Sequence, residues 1–144
     1  MHSENISTNF YTSLLGFLLT AKQHLISIGA EHGLTSIQAI TLMLLEEHAD
    51  CPMKRLGQVF HCDASNITGI VDGLERKGLV SRENDQADRR VKTVRISAAG
   101  RALRGRVLEQ LIRDSNYLFG PLSDAEAKQF VHIVEKLDPH KKPA

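Results

Sequence analysis

The spacing of apolar residues changes at Leu79, and this change constrains the fold more than any other feature of the sequence. Up to that point apolar side chains recur at three- and four-residue steps, as they do along helices that pack on a core. From Leu79 to Ile96 the period is two, and a stretch that is polar except for one alanine, 83–90, separates two short strands. Helical spacing returns after Ser97. Compact helices followed by a charged hairpin predict a winged helix-turn-helix.

The helices of this fold have recognisable starts. Thr35 and Gln38 fit a capping box, as do Ser123 and Glu126 near the end of the chain. Asp63 is the expected N-cap of the helix that follows it. The predicted helices cover residues 8–31, 35 to about 48, 53–60, 64–77, 98 to about 119, and a last helix that starts after residue 123.

The first helix is apolar on two sides, with stripes that begin at Phe10 and Tyr11. Such a helix needs two surfaces to pack against. One is its own domain, and the other could belong to a second subunit. Elsewhere, the residues expected to face inward are Ile37, Ile40, Leu44 and Leu45 in the second helix, Val94 and Ile96 in the hairpin, and Ala127, Phe130, Val134 and Leu137 in the last helix.

Charge is distributed unevenly along the chain. The 144 residues have a net charge of +1, yet residues 64–106 contain ten Lys or Arg and five Asp or Glu. That segment is therefore +5 and the remainder is −4. A basic segment in a nearly neutral chain is typical of a nucleic-acid-binding surface. An ordinary solvated face has the same composition, so charge alone does not decide between the two.

The fourth predicted helix begins with short polar residues. Ile67 must face the core, which leaves Ser65, Asn66, Thr68 and Gly69 near the outward side. The second helix of a helix-turn-helix enters the major groove with its N-terminal residues on base edges. Short donors and acceptors suit base edges and phosphates. The alternative is that Ser65 and Asn66 merely cap the helix.

The tip of the hairpin carries an arginine next to a carboxylate. Arg90 could enter the minor groove, where A·T-rich DNA has a negative potential, and Asp88 could orient the guanidinium through paired hydrogen bonds. The alternative is a mobile, solvated loop with an exposed ion pair of little energetic value.

Four segments together resemble the MarR family of transcription regulators. They are 34–38 (Leu-Thr-Ser-Ile-Gln), 67–80, the wing motif Asp88-Arg89-Arg90, and 97–100 (Ser-Ala-Ala-Gly). The resemblance implies a mainly α fold with a small β-hairpin wing and a homodimer joined by the first helix and the last two. It also implies a double-stranded, pseudo-palindromic DNA operator, frequent repression, and relief by a small molecule or an oxidant.

The resemblance also assigns roles to individual residues. Carried over by position, Ser65, Asn66 and Thr68 would contact the major groove, and Arg90, oriented by Asp88, would enter the minor groove. Gly69 and Gly73 stand where many relatives carry Arg, which predicts a modest sequence preference and a steep salt dependence. The full expected DNA-facing set is Ser65, Asn66, Thr68, Gly69, Arg76, Arg82, Asp88, Arg89, Arg90 and Lys92.

The expected organisation separates DNA binding from dimerisation. Residues 34–97 form the DNA-binding lobe, 1–33 with 98–138 form a helical dimerisation region, and 139–144 form a flexible tail. A pocket for a small aromatic or phenolic effector could lie where the first helix meets the lobe, although plain core and dimer packing is the alternative for each of its residues. The candidate lining residues are Tyr11, Phe17, His24 and Tyr117.

Other functions have weaker support in the sequence. An enzyme is not expected, because the chain lacks a P-loop, a dinucleotide fingerprint, an HExxH motif and a nucleophile elbow. No cofactor is expected. A zinc site at His48, Cys51, His61 and Cys62 is disfavoured, because a helix separates the two pairs. Redox sensing at Cys62 and a winged helix used only for protein contacts remain alternatives. No signal peptide or apolar run long enough to span a membrane is visible, which predicts a cytoplasmic location.

Overall fold

The computed structural model describes residues 8–46 and 49–138. It is mainly helical, with a small antiparallel three-stranded sheet, as the winged helix-turn-helix prediction requires. The helices are α1 (Thr8–Glu31), α2 (Ser36–Leu44), α3 (Met53–Phe60), α4 (Ala64–Arg76), α5 (Ala98–Arg113), α6 (Asn116–Phe119) and α7 (Asp124–Leu137), and the strands are β1 (Cys51–Pro52), β2 (Val80–Asn84) and β3 (Lys92–Ile96). Within these ranges, every helix is too short or too polar to cross a membrane.

The core lies inside the lobe formed by α2, α3, α4 and the sheet, and the start of α5 closes it. Leu42, Val71, Leu74 and Val94 are completely buried. Leu103 brings α5 onto the same cluster. Each such side chain contributes about 1.5–3 kcal/mol through removal of apolar surface from water. This core fixes α4 relative to the hairpin.

The predicted helix caps are confirmed. The Thr35 hydroxyl accepts a hydrogen bond from the Gln38 backbone N–H at 3.2 Å, and the Gln38 side chain accepts one from the Thr35 N–H at 3.1 Å. Ser123 and Glu126 form the second capping box. These bonds satisfy N–H groups that a helix start otherwise leaves unpaired.

The inward face of α2 differs from the prediction. Ala39, Thr41, Leu42 and Leu45 are buried, whereas Leu44 is 43% exposed. Ile37 and Ile40, also expected inside, are half-buried. The face was misassigned because Thr41 is polar by type, yet its hydroxyl donates a hydrogen bond to the carbonyl of Ile37 at 2.7 Å and so enters the core satisfied.

The prediction of one continuous helix from residue 98 to about 119 is wrong, because this segment is divided into α5 and α6. The turn tightens after α5, where the N–H of Ser115 bonds to the carbonyl of Ile112 and that of Tyr117 to Asp114. These hydrogen bonds join residues three positions apart, as in a 3₁₀ turn, instead of the four of an α-helix, and they redirect the chain. The new direction brings Phe119 against Phe17 of α1 and Phe130 of α7 at ring distances of 6.4 and 5.6 Å.

The hairpin forms as predicted, but with a third strand. β2 and β3 pair antiparallel from Val80 opposite Ile96 to Asn84 opposite Lys92. Val94 and Ile96 face the core, which confirms that part of the prediction. The short β1 pairs with the other edge of β3, with Cys51 opposite Val94. We call the hairpin, residues 80–96, the wing.

The terminal helices leave apolar side chains uncovered in the single chain. In α7, Ala127 and Phe130 are half-buried, but Val134 is 46% and Leu137 is 74% exposed, contrary to the prediction that both are buried. Phe130 packs α7 against Phe17 of α1 and Phe119 of α6, whereas Val134 and Leu137 lie further along the helix and stay exposed. In α1, both stripes include exposed residues such as Leu19 at 67%.

Candidate nucleic-acid interface

The start of α4 presents a short polar surface. Ser65, Asn66, Thr68 and Gly69 are exposed, and Ile67 between them is buried at 2% exposure. Asp63 is the N-cap, since its carboxylate accepts a hydrogen bond from the Asn66 N–H at 2.8 Å. The side chains of Ser65 and Asn66 are therefore not the cap, which removes the alternative role weighed for them.

The wing tip is ordered by short hydrogen bonds. One carboxylate oxygen of Asp85 accepts from the N–H groups of Ala87 and Asp88 at 2.8 and 3.0 Å. Asp88 in turn accepts from the Arg90 N–H at 3.0 Å, and its Oδ1 lies 3.6 Å from the Arg90 Nε. The Arg90 side chain is 95% exposed. The expected pair thus forms through one side-chain contact and a backbone bond, rather than through two parallel hydrogen bonds.

Arg82 faces carboxylates of α4 rather than open solvent. Its guanidinium lies 2.5 Å from Asp72 and donates two hydrogen bonds to Glu75, at 2.8 and 3.1 Å. The hydrogen bond with Glu75 is the main reason that the pKa of Arg82 is raised above its ordinary value. With these partners Arg82 joins the wing to α4, which differs from its expected place among the DNA contacts. The signal for this pairing was two carboxylates three residues apart on one helix face.

The remaining basic candidates lie in different places. Arg89 and Lys92 are exposed on the wing, and Lys92 donates a hydrogen bond to the side chain of Asn84 at 2.6 Å. Arg76 is exposed at the last turn of α4. Because a helix rises about 1.5 Å per residue, Arg76 is about 18 Å along the axis from Ala64. The structure therefore groups the helix start with Arg90 and Lys92, and separates Arg76 from them.

The two glycines of α4 have different surroundings. A side chain at Gly69 would meet nothing within 4 Å, so this position is open to the outside. Gly73 is buried, and a Cβ there would lie 2.5 Å from the Nε2 atom of Gln38 in α2. Gly73 thus packs against α2, and a larger side chain there would require the end of the Gln38 side chain to move; that Gly73 replaces a DNA-contacting arginine stays a prediction.

The four candidate effector residues do not share one pocket. His24 and Tyr117 stack at 4.8 Å and line a cavity of about 750 Å³ between α1 and the α5–α6 turn, which we call the α1–α5 cavity. The Nε2 of His24, a residue that is 8% exposed, has no hydrogen-bond partner among the described residues. Phe17 instead packs on Phe130 at 5.7 Å, and Tyr11 is 56% exposed.

The cysteines are free and half-buried. Desolvation by burial raises the pKa of Cys51, which lowers the fraction of reactive thiolate at neutral pH. Within residues 8–46 and 49–138, no three His, Cys, Asp or Glu side chains are arranged to hold a metal ion. His48, one of the four residues weighed for zinc, lies outside the described residues.

The comparisons with known proteins agree with this geometry. The MarR family profile matches residues 34–92. The chain is similar to the transcriptional repressor NicR of Pseudomonas putida, with 30% identity over 104 residues. That alignment covers 72% of this chain and 66% of NicR, just under two thirds of the relative.

Solved structures extend the likeness to almost the whole chain. A probable transcriptional regulator from Pseudomonas aeruginosa is 31% identical, with a TM-score of 0.67 over 85% of this chain and 96% of that one. The crystal structure of MarR has a TM-score of 0.77 over 94% of this chain and 90% of that one; at 21% identity it supports the fold alone. Regulators of this family bind operator DNA, typically as dimers. The chain belongs to the MarR family and is a DNA-binding transcriptional regulator with a winged helix-turn-helix fold.

Proposed function

We propose that the protein is a homodimeric repressor that binds a pseudo-palindromic operator through the start of α4 and the wing of each subunit. One observation carries the proposal: Thr68, Arg90 and Lys92 line the same cavity, so the polar helix start and the basic wing face a common groove. The name of NicR, a repressor, supports repression over activation.

Each part of this groove suits a different part of the duplex. Ser65, Asn66 and Thr68 offer short donors and acceptors for base edges in the major groove. Arg90 is nearly free of protein contacts, so it keeps its donors for a narrow minor groove. Arg89 and Lys92 add phosphate contacts, which position the protein without specifying sequence. Gly69 contributes close approach rather than a base contact.

Dimerisation is proposed for the terminal helices, 1–33 and 98–138, around the lobe of residues 34–97. Exposed apolar side chains are concentrated there, with Leu15 at 58% and Leu19 at 67% in α1, and Val131 at 56% and Leu137 at 74% in α7. Large apolar side chains exposed on the same helices favour a protein interface. The tail, 139–144, lies outside the described residues.

A small aromatic effector is proposed for the α1–α5 cavity. The stacked rings of His24 and Tyr117 offer a flat surface, and the unpartnered His24 nitrogen offers a hydrogen bond. Glu31, also in the lining, accepts a hydrogen bond from the Gln110 side chain at 2.6 Å, and Gln110 bonds His32 at 2.7 Å. A ligand that displaced Glu31 would alter the joint between α1 and α5. Such a ligand can change the free energy of DNA binding only by the difference between its own binding free energies to two arrangements of this joint, one with the Glu31–Gln110 hydrogen bond and one without it.

The test is selection of bound duplexes from random DNA, followed by titration of the selected site. Arg90→Ala should weaken binding about tenfold or more, since an arginine contact to DNA is worth about 1–3 kcal/mol. Arg106→Ala, an exposed arginine of α5, is the matched control and should change affinity less than about twofold. Equal losses in both variants, or no selected site, would refute the proposal and favour a module for protein contacts.

A further inference from the structure

A cavity of about 860 Å³ opens between α3, the start of α4 and residues 90–92 of the wing. We call it the α3–wing cavity. It is separate from the α1–α5 cavity, since none of the described residues lines both. Its volume falls in the range of about 300–1,000 Å³ that small-molecule sites occupy.

The floor of the cavity is aliphatic. Met53 and Cys62 pack against the buried core, Ile67 is 2% exposed, and Val91 is half-buried. In the described part of the chain, no Phe or Tyr lines this cavity, whereas a ring stack lines the α1–α5 cavity. Among the described lining residues the one ring is the imidazole of His61, an exposed residue, so the aliphatic floor itself offers no stacking partner to a flat ligand. It favours an alkyl chain.

The rim of the cavity is cationic. Lys54, Arg90 and Lys92 are exposed around it, and among the described lining residues Asp63 is the single carboxylate. That carboxylate is engaged as the N-cap of α4. An apolar floor below several cations matches a ligand with an apolar body and one negative head group, because each part meets its complement.

We propose that the α3–wing cavity binds an alkyl carboxylate, an anion of the fatty-acid class, and that this ligand and DNA exclude each other. The head group would lie among Lys54, Arg90 and Lys92, with the chain over Met53 and Val91. Exclusion follows because Arg90 and Thr68 line the cavity and face DNA in the proposed function. The exclusion rests on that proposed function, whereas occupancy of the cavity does not.

Occupancy is tested with decanoate on the full-length, ¹⁵N-labelled protein, by mapping of amide shifts. The largest shifts should fall in α3, residues 61–62 and residues 90–92. Decan-1-ol, which lacks the charge, and naphthalene-2-carboxylate, which lacks the chain, should each bind about tenfold more weakly. Shifts confined to α1 and α7, or equal affinity for all three compounds, would overturn the proposal.

Two substitutions locate the site. Met53→Glu places a carboxylate on the floor at the first residue of α3, where helices tolerate acids, and should weaken decanoate binding about tenfold. Lys54→Glu places a carboxylate on the exposed rim and should also weaken decanoate binding. It is the test to use if Met53→Glu unfolds the lobe. Tyr117→Ala, in the α1–α5 cavity, is the control and should leave affinity unchanged. Unchanged decanoate affinity in both glutamate variants would refute the site.

Competition with DNA has its own signature. If decanoate and DNA exclude each other, the apparent Kd for DNA rises in proportion to decanoate concentration without limit. An effector acting from elsewhere reaches a plateau set by its coupling to DNA. A plateau, or no effect on DNA despite shifts in the cavity, would overturn the exclusion. If no duplex binds at all, the proposed function fails, while the shift map still decides whether the cavity binds decanoate.

Discussion

Arg82→Ala separates a structural arginine from a DNA-contacting one. The substitution removes the guanidinium that bridges β2 to Asp72 and Glu75 of α4. The two carboxylates then lose their shared cation. Because the wing and α4 are joined at this point, their relative orientation should loosen while both elements remain folded on the core.

The expected loss of stability is modest. Hydrogen bonds to charged groups contribute about 1.5–3 kcal/mol when they are well shielded. Here the side chains of Arg82 and Glu75 are 30% and 39% exposed, so water screens the pair and replaces part of what is lost. We expect the free energy of unfolding to fall by about 1 kcal/mol and Tm by about 3 °C.

The assay is operator binding as a function of salt. Loss of orientation should weaken affinity several-fold at every salt concentration, with an unchanged slope of log K against log salt. An arginine that contacts a phosphate would instead lower the slope by about 0.9 per subunit. A reduced slope with an unchanged Tm would refute the structural role of Arg82.

Arg95→Ala is the matched control for this variant. Arg95 donates two hydrogen bonds to Asp50, at 2.6 and 3.0 Å, but this pair joins β3 to the segment before β1 and does not touch α4. Its loss should lower Tm and leave DNA affinity unchanged. If Arg95→Ala weakens DNA binding as much as Arg82→Ala does, general loosening of the wing explains both results.

Two further predictions concern stability. A Cβ at Gly100 would collide with the backbone carbonyl of Leu79, so Gly100→Ala should lower the free energy of unfolding by about 3 kcal/mol. Gly69 lies in open space, so Gly69→Ala should stabilise α4 by about 0.5–1 kcal/mol. Equal Tm values for the two variants would contradict this. Hydrogen bonds from Ser123 lower the pKa of Glu126, so they stabilise the fold above the ordinary carboxyl pKa and are lost as pH falls through the lowered one. Ser123→Ala should therefore reduce Tm at pH 7, and its Tm should fall less between pH 7 and pH 3 than that of the parent. Parallel curves of Tm against pH for the two proteins would count against the capping box.

Local chemistry was the predictable part of this fold. The caps at Thr35, Asp63 and Ser123 are set by residues within three positions, so the sequence pattern identifies them. The inward strand residues followed from a period of two. The exposed start of α4 followed from the burial of Ile67, which fixes the face that its neighbours present.

Features that depend on distant partners were missed. Thr41 is buried because it faces the core of the lobe, where a carbonyl one turn back satisfies its hydroxyl, whereas residue type alone predicts exposure. β1 exists because Cys51 meets Val94 across 43 positions of sequence, and two residues carry no period. The partner of Arg82 depends on how β2 lies on α4, and the placing of Gly73 depends on α2. In each case tertiary packing, rather than local preference, determines the outcome.

The central claim is that two subunits place the start of α4 and the wing on one duplex. Hydroxyl-radical footprinting of the protein on its selected operator tests this most directly. We predict two protected half-sites whose centres lie about 34–36 Å apart, about one helical turn, with minor-groove protection beside each that disappears in Arg90→Ala. A single protected tract, or an Arg90→Ala footprint identical to that of the parent, would contradict the account.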